Sequence, residues 1–138
     1  MDTKKLDAAL IALVEKRIQL SNMSYSDERY DEVEEQLHDM EDEFVDQYGD
    51  YLEGALEEVH EAHDMDSEVL LPIAYLAQKY EIVGQHPDGQ PIYEVDTKEG
   101  VWVETDKFPG KEVRLVLIPS PTRFVLSVGK HREEVWKA

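Results

Sequence analysis

The N-terminal part of the chain alternates apolar and polar residues with the period of a helix. Three leucines recur in steps of four and three residues: Leu6, Leu10 and Leu13. This spacing predicts an amphipathic helix over residues 2 to about 22. The side chain of Asp2 or Thr3 can cap its first turn by accepting a hydrogen bond from a free backbone amide.

A second apolar line follows the polar segment Ser21–Ser24, where Ser24 or Ser26 can cap a new helix. Its members have heptad-like spacing: Tyr30, Val33, Leu37, Met40 and Phe44. Gly49 and Gly54 weaken the continuation of this helix, each by about 1 kcal/mol relative to alanine. We therefore predict a kink or short break near Gly49, and an antiparallel hairpin formed by the two helices.

The pattern changes from helical to period two near residue 81. Before that point a short helix is predicted over residues 68–80, with Pro72 tolerated near its first turn. Beyond it, five segments bounded by turn residues have the composition of strands: 81–83, 92–95, 101–103, 113–118 and 123–128. The tail from His131 to Ala138 fits either a helical turn or an edge strand.

Helices followed by strands, rather than alternating with them, are typical of an α+β fold with an antiparallel sheet. We predict one domain over residues 1–138, with a helical part over 1–80 and a β part over 81–138. The helical part is expected to be an antiparallel hairpin of two long helices plus one short helix. The β part is expected to be a small antiparallel sheet of about five strands.

The formal net charge of −18 is concentrated in one segment. Residues 31–70 carry seventeen acidic side chains and no lysine or arginine, whereas acidic and basic side chains nearly cancel elsewhere. We expect this segment to repel nucleic-acid backbone and anionic membrane, and to favour a basic protein partner. The candidate partner-binding carboxylates are Glu34, Glu35, Asp39, Asp42, Asp46 and Asp50.

Composition excludes several kinds of site. The chain has no cysteine, which rules out disulfides, thiolate metal sites and cysteine nucleophiles, and fits a reducing compartment. The longest apolar run, residues 8–14, is too short to span a bilayer, and charged residues follow it where a signal peptide needs small ones. Ser120 and Ser127 lack the Gly-x-Ser-x-Gly setting, and we predict no catalytic residue. A cytoplasmic location is expected.

One group of carboxylates and imidazole has the spacing of a cation site. Residues three or four apart share a helix face, which would bring together Glu57, His60, Glu61 and Asp64. A divalent cation is the one cofactor that this pattern suggests. The alternative is a solvated row of carboxylates, with His60 at the edge of the apolar stripe.

Two acidic pairs, Glu32-x-x-Glu35 and Glu61-x-x-Asp64, resemble the paired carboxylate motifs of the MazG-like all-α nucleotide pyrophosphohydrolases. The resemblance implies that these carboxylates hold magnesium against a nucleotide triphosphate. It covers about a quarter of the chain. Residues 31–70 lack the basic residues expected near the phosphates in that family, and the β part has no counterpart in the pattern.

Three functions are consistent with these observations. The first is a non-catalytic protein-interaction module that uses the acidic helical face of residues 31–70. The second is a metal-dependent hydrolase of the nucleotide pyrophosphohydrolase type, and the third is a surface that only confers solubility. A homodimer through the helices is a further expectation, because the apolar stripe of the first helix is wide.

The two tryptophans, Trp102 and Trp136, are candidate anchors for a partner, since aromatic residues dominate interface energetics. The competing interpretation for Trp102 is that it alternates into the core of the sheet. Large aromatic side chains are usually well buried, so we predict the second arrangement.

Overall fold

The computed structural model describes all 138 residues, Met1–Ala138. Two helices come first, α1 over Thr3–Ser21 and α2 over Tyr30–Ala62, and a 3-10 helix follows at Pro72–Tyr75. Six strands complete the chain: β1 (Glu81–Gln85), β2 (Pro91–Glu94), β3 (Val101–Val103), β4 (Val113–Ile118), β5 (Arg123–Val128) and β6 (His131–Lys137). The predicted α+β class with an N-terminal helical hairpin is confirmed.

The first helix begins as the sequence predicts. Asp2 Oδ1 accepts hydrogen bonds from the backbone amides of Lys4 and Lys5, both at 3.1 Å. These bonds satisfy two of the four donors that the start of a helix leaves free. The buried side of α1 consists of Leu6, Leu10, Leu13 and Val14, and the helix packs against α2.

Of the kink or short break predicted near Gly49, the break is wrong, because α2 is one helix of 33 residues that runs through both Gly49 and Gly54. Its buried residues continue past the glycines: Leu52, Ala55, Leu56 and Val59. Packing of these side chains therefore outweighs the helix-propensity cost of about 1 kcal/mol for each glycine.

The second helix also begins later than either predicted serine cap. Its N-cap residue is Arg29, which makes no side-chain capping bond. Ser24 and Ser26 instead hydrogen-bond to each other at 2.9 Å in the preceding turn. Asp27 Oδ1 accepts from the amide of Arg29 at 2.8 Å, and this local bond shapes the entry to α2.

The helix predicted over residues 68–80 shrinks to a single 3-10 turn. The chain becomes extended at Leu76, which makes a parallel bridge with Leu117 of β4. The buried Tyr80 hydroxyl donates to the carbonyl of Leu117 at 2.6 Å and accepts from the amide of Ala77 at 2.9 Å. These contacts hold the segment against the sheet, and that geometry is incompatible with a continuing helix.

The strands form two antiparallel sheets, where the sequence predicted one. β1 and β2 make a hairpin, and the larger sheet has the order β3-β4-β5-β6, so the C-terminal tail is an edge strand. Side chains join the two sheets: Arg132 of β6 donates to Glu94 Oε2 at 2.6 Å and to the carbonyl of Val95 at 3.0 Å. These contacts replace the backbone ladder that a single sheet would have had.

A single cluster of 27 buried residues draws side chains from both helices and from the strands. β4 is buried on both of its faces beyond Arg114, as its continuous apolar run predicts. Tyr75 packs edge-on against Phe124 of β5, with ring centroids 5.8 Å apart. None of the helices combines the length and the apolar character needed to cross a lipid bilayer.

The prediction that Trp102 lies in the sheet core is wrong, since 60% of its surface is exposed. β3 is an edge strand, and the side chain of Val103 is fully buried. Trp102 points to the opposite face because side chains alternate along a strand, and its cross-strand neighbour there is Arg114. Trp136 is half-buried, with its ring centroid 5.6 Å from that of Phe124.

Candidate interaction surface

The outward side of α2 carries a continuous row of carboxylates, which we call the acidic stripe. Its nine members follow one another in steps of three or four residues, and all are exposed: Glu32, Glu35, Asp39, Asp42, Asp46, Asp50, Glu53, Glu57 and Glu61. At 1.5 Å of rise per residue the stripe is about 43 Å long, with one carboxylate in about every 5.4 Å. It is therefore a linear array of negative charge on a rigid element.

Almost all of this charge is unneutralised within the chain. The only ion pair of the stripe joins Glu32 to Arg29 at 3.5 Å, and both side chains are more than half exposed. Exposed pairs of this kind are worth about 0–1 kcal/mol. Arg17 of α1 also reaches α2, but it pairs with Glu41, which is not part of the stripe, at 3.5 Å.

The helix tolerates this repulsion because its other side is buried. Like charges four residues apart destabilise an isolated helix by about 0.2–0.5 kcal/mol per pair. Val33 and Leu52 are fully buried, and Phe44 is 4% exposed, so burial of large side chains extends along both halves of α2. At about 1.5–3 kcal/mol for each such side chain, burial outweighs the repulsion.

Five of the six predicted partner-binding residues belong to the acidic stripe: Glu35, Asp39, Asp42, Asp46 and Asp50. The sixth, Glu34, is half-buried and lies outside the stripe. Four further stripe members were not among the predicted partner-binding residues: Glu32, Glu53, Glu57 and Glu61. Three of them were assigned from the sequence to the acidic pairs or to the cation group. The signal that joins all four to the stripe is the unbroken spacing of three and four residues.

The four predicted cation ligands are not brought together as a ligand set. No group of three or more His, Asp or Glu side chains in the structure is placed to hold a metal ion. Glu57 and Glu61 are exposed, whereas His60 is 7% exposed. Asp64 lies beyond the end of the helix, where its φ of 49° turns the chain away from the helix axis.

His60 has a structural partner. Its Nδ1 atom is 3.0 Å from the carbonyl oxygen of Ser67. A carbonyl only accepts, so Nδ1 carries the proton and Nε2 is the unprotonated nitrogen. Nε2 is buried without a hydrogen-bond partner, and burial lowers the pKa of His60 below its usual value. The imidazole therefore links the end of α2 to the following loop as a neutral group.

The two acidic pairs that resemble the pyrophosphohydrolase motifs lie far apart. Glu32 and Glu35 are near the start of α2, and Glu61 is in its last turn. Because the helix is continuous, Glu35 and Glu61 are separated by about 39 Å along its axis. The two pairs cannot hold one magnesium ion in this chain.

A polar group that the sequence analysis missed lies beside the β4–β5 turn. Asp7 Oδ1 accepts from the amide of Ser120 and from the hydroxyl of Thr122, each at 2.9 Å. His86 lies between β1 and β2, and its Nε2 atom is 2.8 Å from the carbonyl oxygen of Ser120. These residues are 113 and 34 positions from Ser120 in the sequence, so no local pattern could have revealed the contacts.

This Asp–Ser–His group does not have the geometry of a nucleophilic triad. Ser120 Oγ donates to the carbonyl of Pro91 at 2.7 Å, and the residue is 4% exposed. The imidazole of His86 contacts the carbonyl of Ser120 and not its hydroxyl. Ser120 has a φ of 63°, and the surrounding bonds stabilise that left-handed conformation. The group fastens α1 and the β1–β2 hairpin to the turn.

The homodimer expected through the helices would need an apolar surface on α1 or α2. A shallow groove of about 190 Å³ between α1 and α2 is lined mostly by apolar side chains, among them Ala9, Leu13 and Phe44. Glu43 of α2 also borders this groove. Homodimerisation stays a prediction.

Comparisons with known proteins identify no relative of the chain: no family model matches it, and neither a curated protein nor a solved structure shows significant similarity.

Proposed function

We propose that the protein is a non-catalytic interaction module that binds a basic protein partner through the acidic stripe of α2. The observation that carries the proposal is the row of nine exposed carboxylates on one rigid helix, of which only Glu32 has an ion pair in the chain. A lysine- or arginine-rich segment is the natural complement of such a row.

The physical basis of this binding is electrostatic steering. Exposed opposite charges accelerate association and select partners, and they contribute less to affinity than buried contacts do. The interaction should therefore weaken when salt is added, because the Debye length falls from about 30 Å at 0.01 M to about 8 Å at 0.15 M. No specific observation favours the metal-dependent hydrolase, because its candidate ligands are separated or engaged elsewhere.

The test uses a decalysine peptide as a model basic segment, and isothermal titration measures its dissociation constant at two salt concentrations. The stripe variant replaces five exposed carboxylates with amides: Glu35→Gln, Asp39→Asn, Asp42→Asn, Asp46→Asn and Asp50→Asn. The control variant removes the same charge from exposed carboxylates outside α2: Glu15→Gln, Glu81→Gln, Glu104→Gln, Asp106→Asn and Glu133→Gln.

We expect the stripe variant to weaken binding at least tenfold, and the control variant to weaken it about two- to threefold, because only the first removes charges from the contacted row. Equal weakening in the two variants would mean that the peptide responds to net charge alone. That result would refute the acidic stripe as the binding surface.

A further inference from the structure

A cavity of about 420 Å³ lies where three connections of the β part meet. The first connects β2 to β3, the second leads into β4, and the third is the turn between β5 and β6. The lining residues are Thr97, Lys98, Lys111, Glu112, Arg114, Val128, Gly129 and Lys130. We call this feature the lysine cavity.

The lysine cavity is positively charged in a strongly acidic protein. Four of the fourteen lysine and arginine residues of the chain line it, against one carboxylate. The ammonium groups of Lys98, Lys111 and Lys130 form no ion pair and no hydrogen bond in the structure. Their positive charges are therefore unneutralised within the chain.

Arg114 differs from the three lysines because its guanidinium is already held. Its Nε and Nη2 atoms donate to Glu112 Oε1 at 3.1 and 2.6 Å, and its Nη1 donates to the carbonyl of Gly100 at 3.2 Å. These bonds hold the Arg114 side chain at one wall of the lysine cavity. They also neutralise Glu112, which is the only carboxylate of the cavity. The three lysines remain free to contact a ligand.

The lining residues also restrict the chemistry of that ligand. Val128 is the only hydrophobic residue, so the cavity offers little to an apolar molecule. Lysine ammonium groups are compact point charges that bind phosphate oxygens, and Thr97 adds a hydroxyl donor. The volume lies within the range of about 300–1,000 Å³ that is usual for small-molecule sites.

We propose that the lysine cavity binds a small, multiply charged, phosphate-bearing anion such as a diphosphate. Three lysines without an ion pair around one cavity match a ligand with several anionic oxygens. The net charge of the protein repels anions at long range, but at 0.15 M salt that field is screened beyond about 8 Å. This site is independent of the function proposed above, because no lining residue belongs to α2.

The experiment titrates inorganic pyrophosphate into the protein at constant ionic strength and follows amide chemical shifts by NMR. Sulfate and citrate are titrated as non-phosphate anions. We expect saturable pyrophosphate binding with a dissociation constant of about 1 mM or below, with shifts centred on residues 97–98, 111–114 and 128–130. Sulfate and citrate should bind at least threefold more weakly.

Substitutions then assign the binding to these side chains. Each of Lys98→Gln, Lys111→Gln and Lys130→Gln should weaken binding about two- to fivefold, and the triple variant more than tenfold. A control triple variant, Lys4→Gln, Lys5→Gln and Lys137→Gln, changes the net charge equally but leaves the cavity intact. It should bind pyrophosphate within twofold of the wild-type protein.

Three results would overturn the proposal. The first is the absence of saturable binding at 10 mM pyrophosphate, and the second is equal weakening in both triple variants. The third is citrate or sulfate binding as tightly as pyrophosphate, which would show that the lysine cavity does not select phosphate. None of these results affects the acidic stripe, whose test uses different residues and a different probe.

Discussion

Replacing Gly54 with alanine should stabilise the protein, because Gly54 lies inside a continuous helix. A Cβ atom built at Gly54 meets no atom within 4 Å, so the new methyl group has room. Alanine is favoured over glycine in a helix interior by about 0.8–1 kcal/mol, mainly because glycine loses more conformational freedom on folding. We expect the free energy of unfolding to rise by about 0.5–1 kcal/mol.

The assay is thermal and urea unfolding followed by circular dichroism at 222 nm. The entropy of unfolding of a 138-residue chain is about 0.3 kcal/mol per kelvin near the transition, so Tm should rise by about 2–3.5 °C. The urea m-value should not change, since the variant exposes the same surface on unfolding.

Gly49 provides the matched comparison on the same helix. A Cβ atom at Gly49 would lie 3.2 Å from Val45 Cγ1, so Val45 must shift before alanine fits. Crowding then offsets the gain in helix propensity, and Gly49→Ala should be less stable than Gly54→Ala. A fall in Tm for Gly54→Ala would refute this reasoning, because it would show that residue 54 is not helical and that α2 is broken there.

Three further changes test other parts of the structure. Gly100→Ala should destabilise the protein by about 3 kcal/mol or more in urea unfolding. The reason is that φ of Gly100 is 102° and the new Cβ would lie 2.5 Å from the carbonyl oxygen of Leu115. A loss below about 1 kcal/mol would contradict that close contact. Asp7→Ala should cost about 1.5–3 kcal/mol, since it leaves the buried amide of Ser120 without an acceptor, and unchanged stability would show that the bond is not formed. For His60 the measured quantity is the difference in free energy of unfolding between wild type and His60→Gln across pH. Burial lowers the folded-state pKa of His60, so its contribution is present above the unfolded value of about 6.5 and is lost as pH falls through the folded-state pKa. A difference that grew as pH fell would be the wrong sign.

The course of the chain could be predicted where the residues of an element carry a clear pattern of their own. Apolar residues at helical spacing indicate α1, a capping residue type at its start indicates Asp2, and continuous apolar runs indicate the long strands β4 and β5. The predicted break in α2 failed because glycine propensity is a local property, whereas the helix is held by side chains such as Leu52 and Leu56. The helix predicted over 68–80 failed for the same reason, since the hydroxyl of Tyr80 bonds to a strand 37 residues away.

The candidate surfaces show the same limit. Part of the acidic stripe could be predicted, because both the charge of its residues and their helical spacing are local properties of the sequence. The lysine cavity was not, because Lys98, Lys111 and Lys130 come from three separate connections that only the sheet brings together. The position of Trp102 also depended on packing: one face of β3 is buried and the other is exposed, and the sequence of three residues does not show which face is which.

The distribution of ion pairs explains why both charged surfaces remain available to outside molecules. The basic side chains that form pairs in the β part use neighbouring carboxylates: Arg114 pairs with Glu112, and both Arg123 and Arg132 reach Glu94. The three cavity lysines form no ion pair, and the acidic stripe faces away from the buried side of its helix. The acidic stripe and the lysine cavity share no residue, and the carboxylates and lysines concerned are exposed. Each surface can therefore be neutralised by substitution without removing a buried contact. A change in binding can then be attributed to that surface.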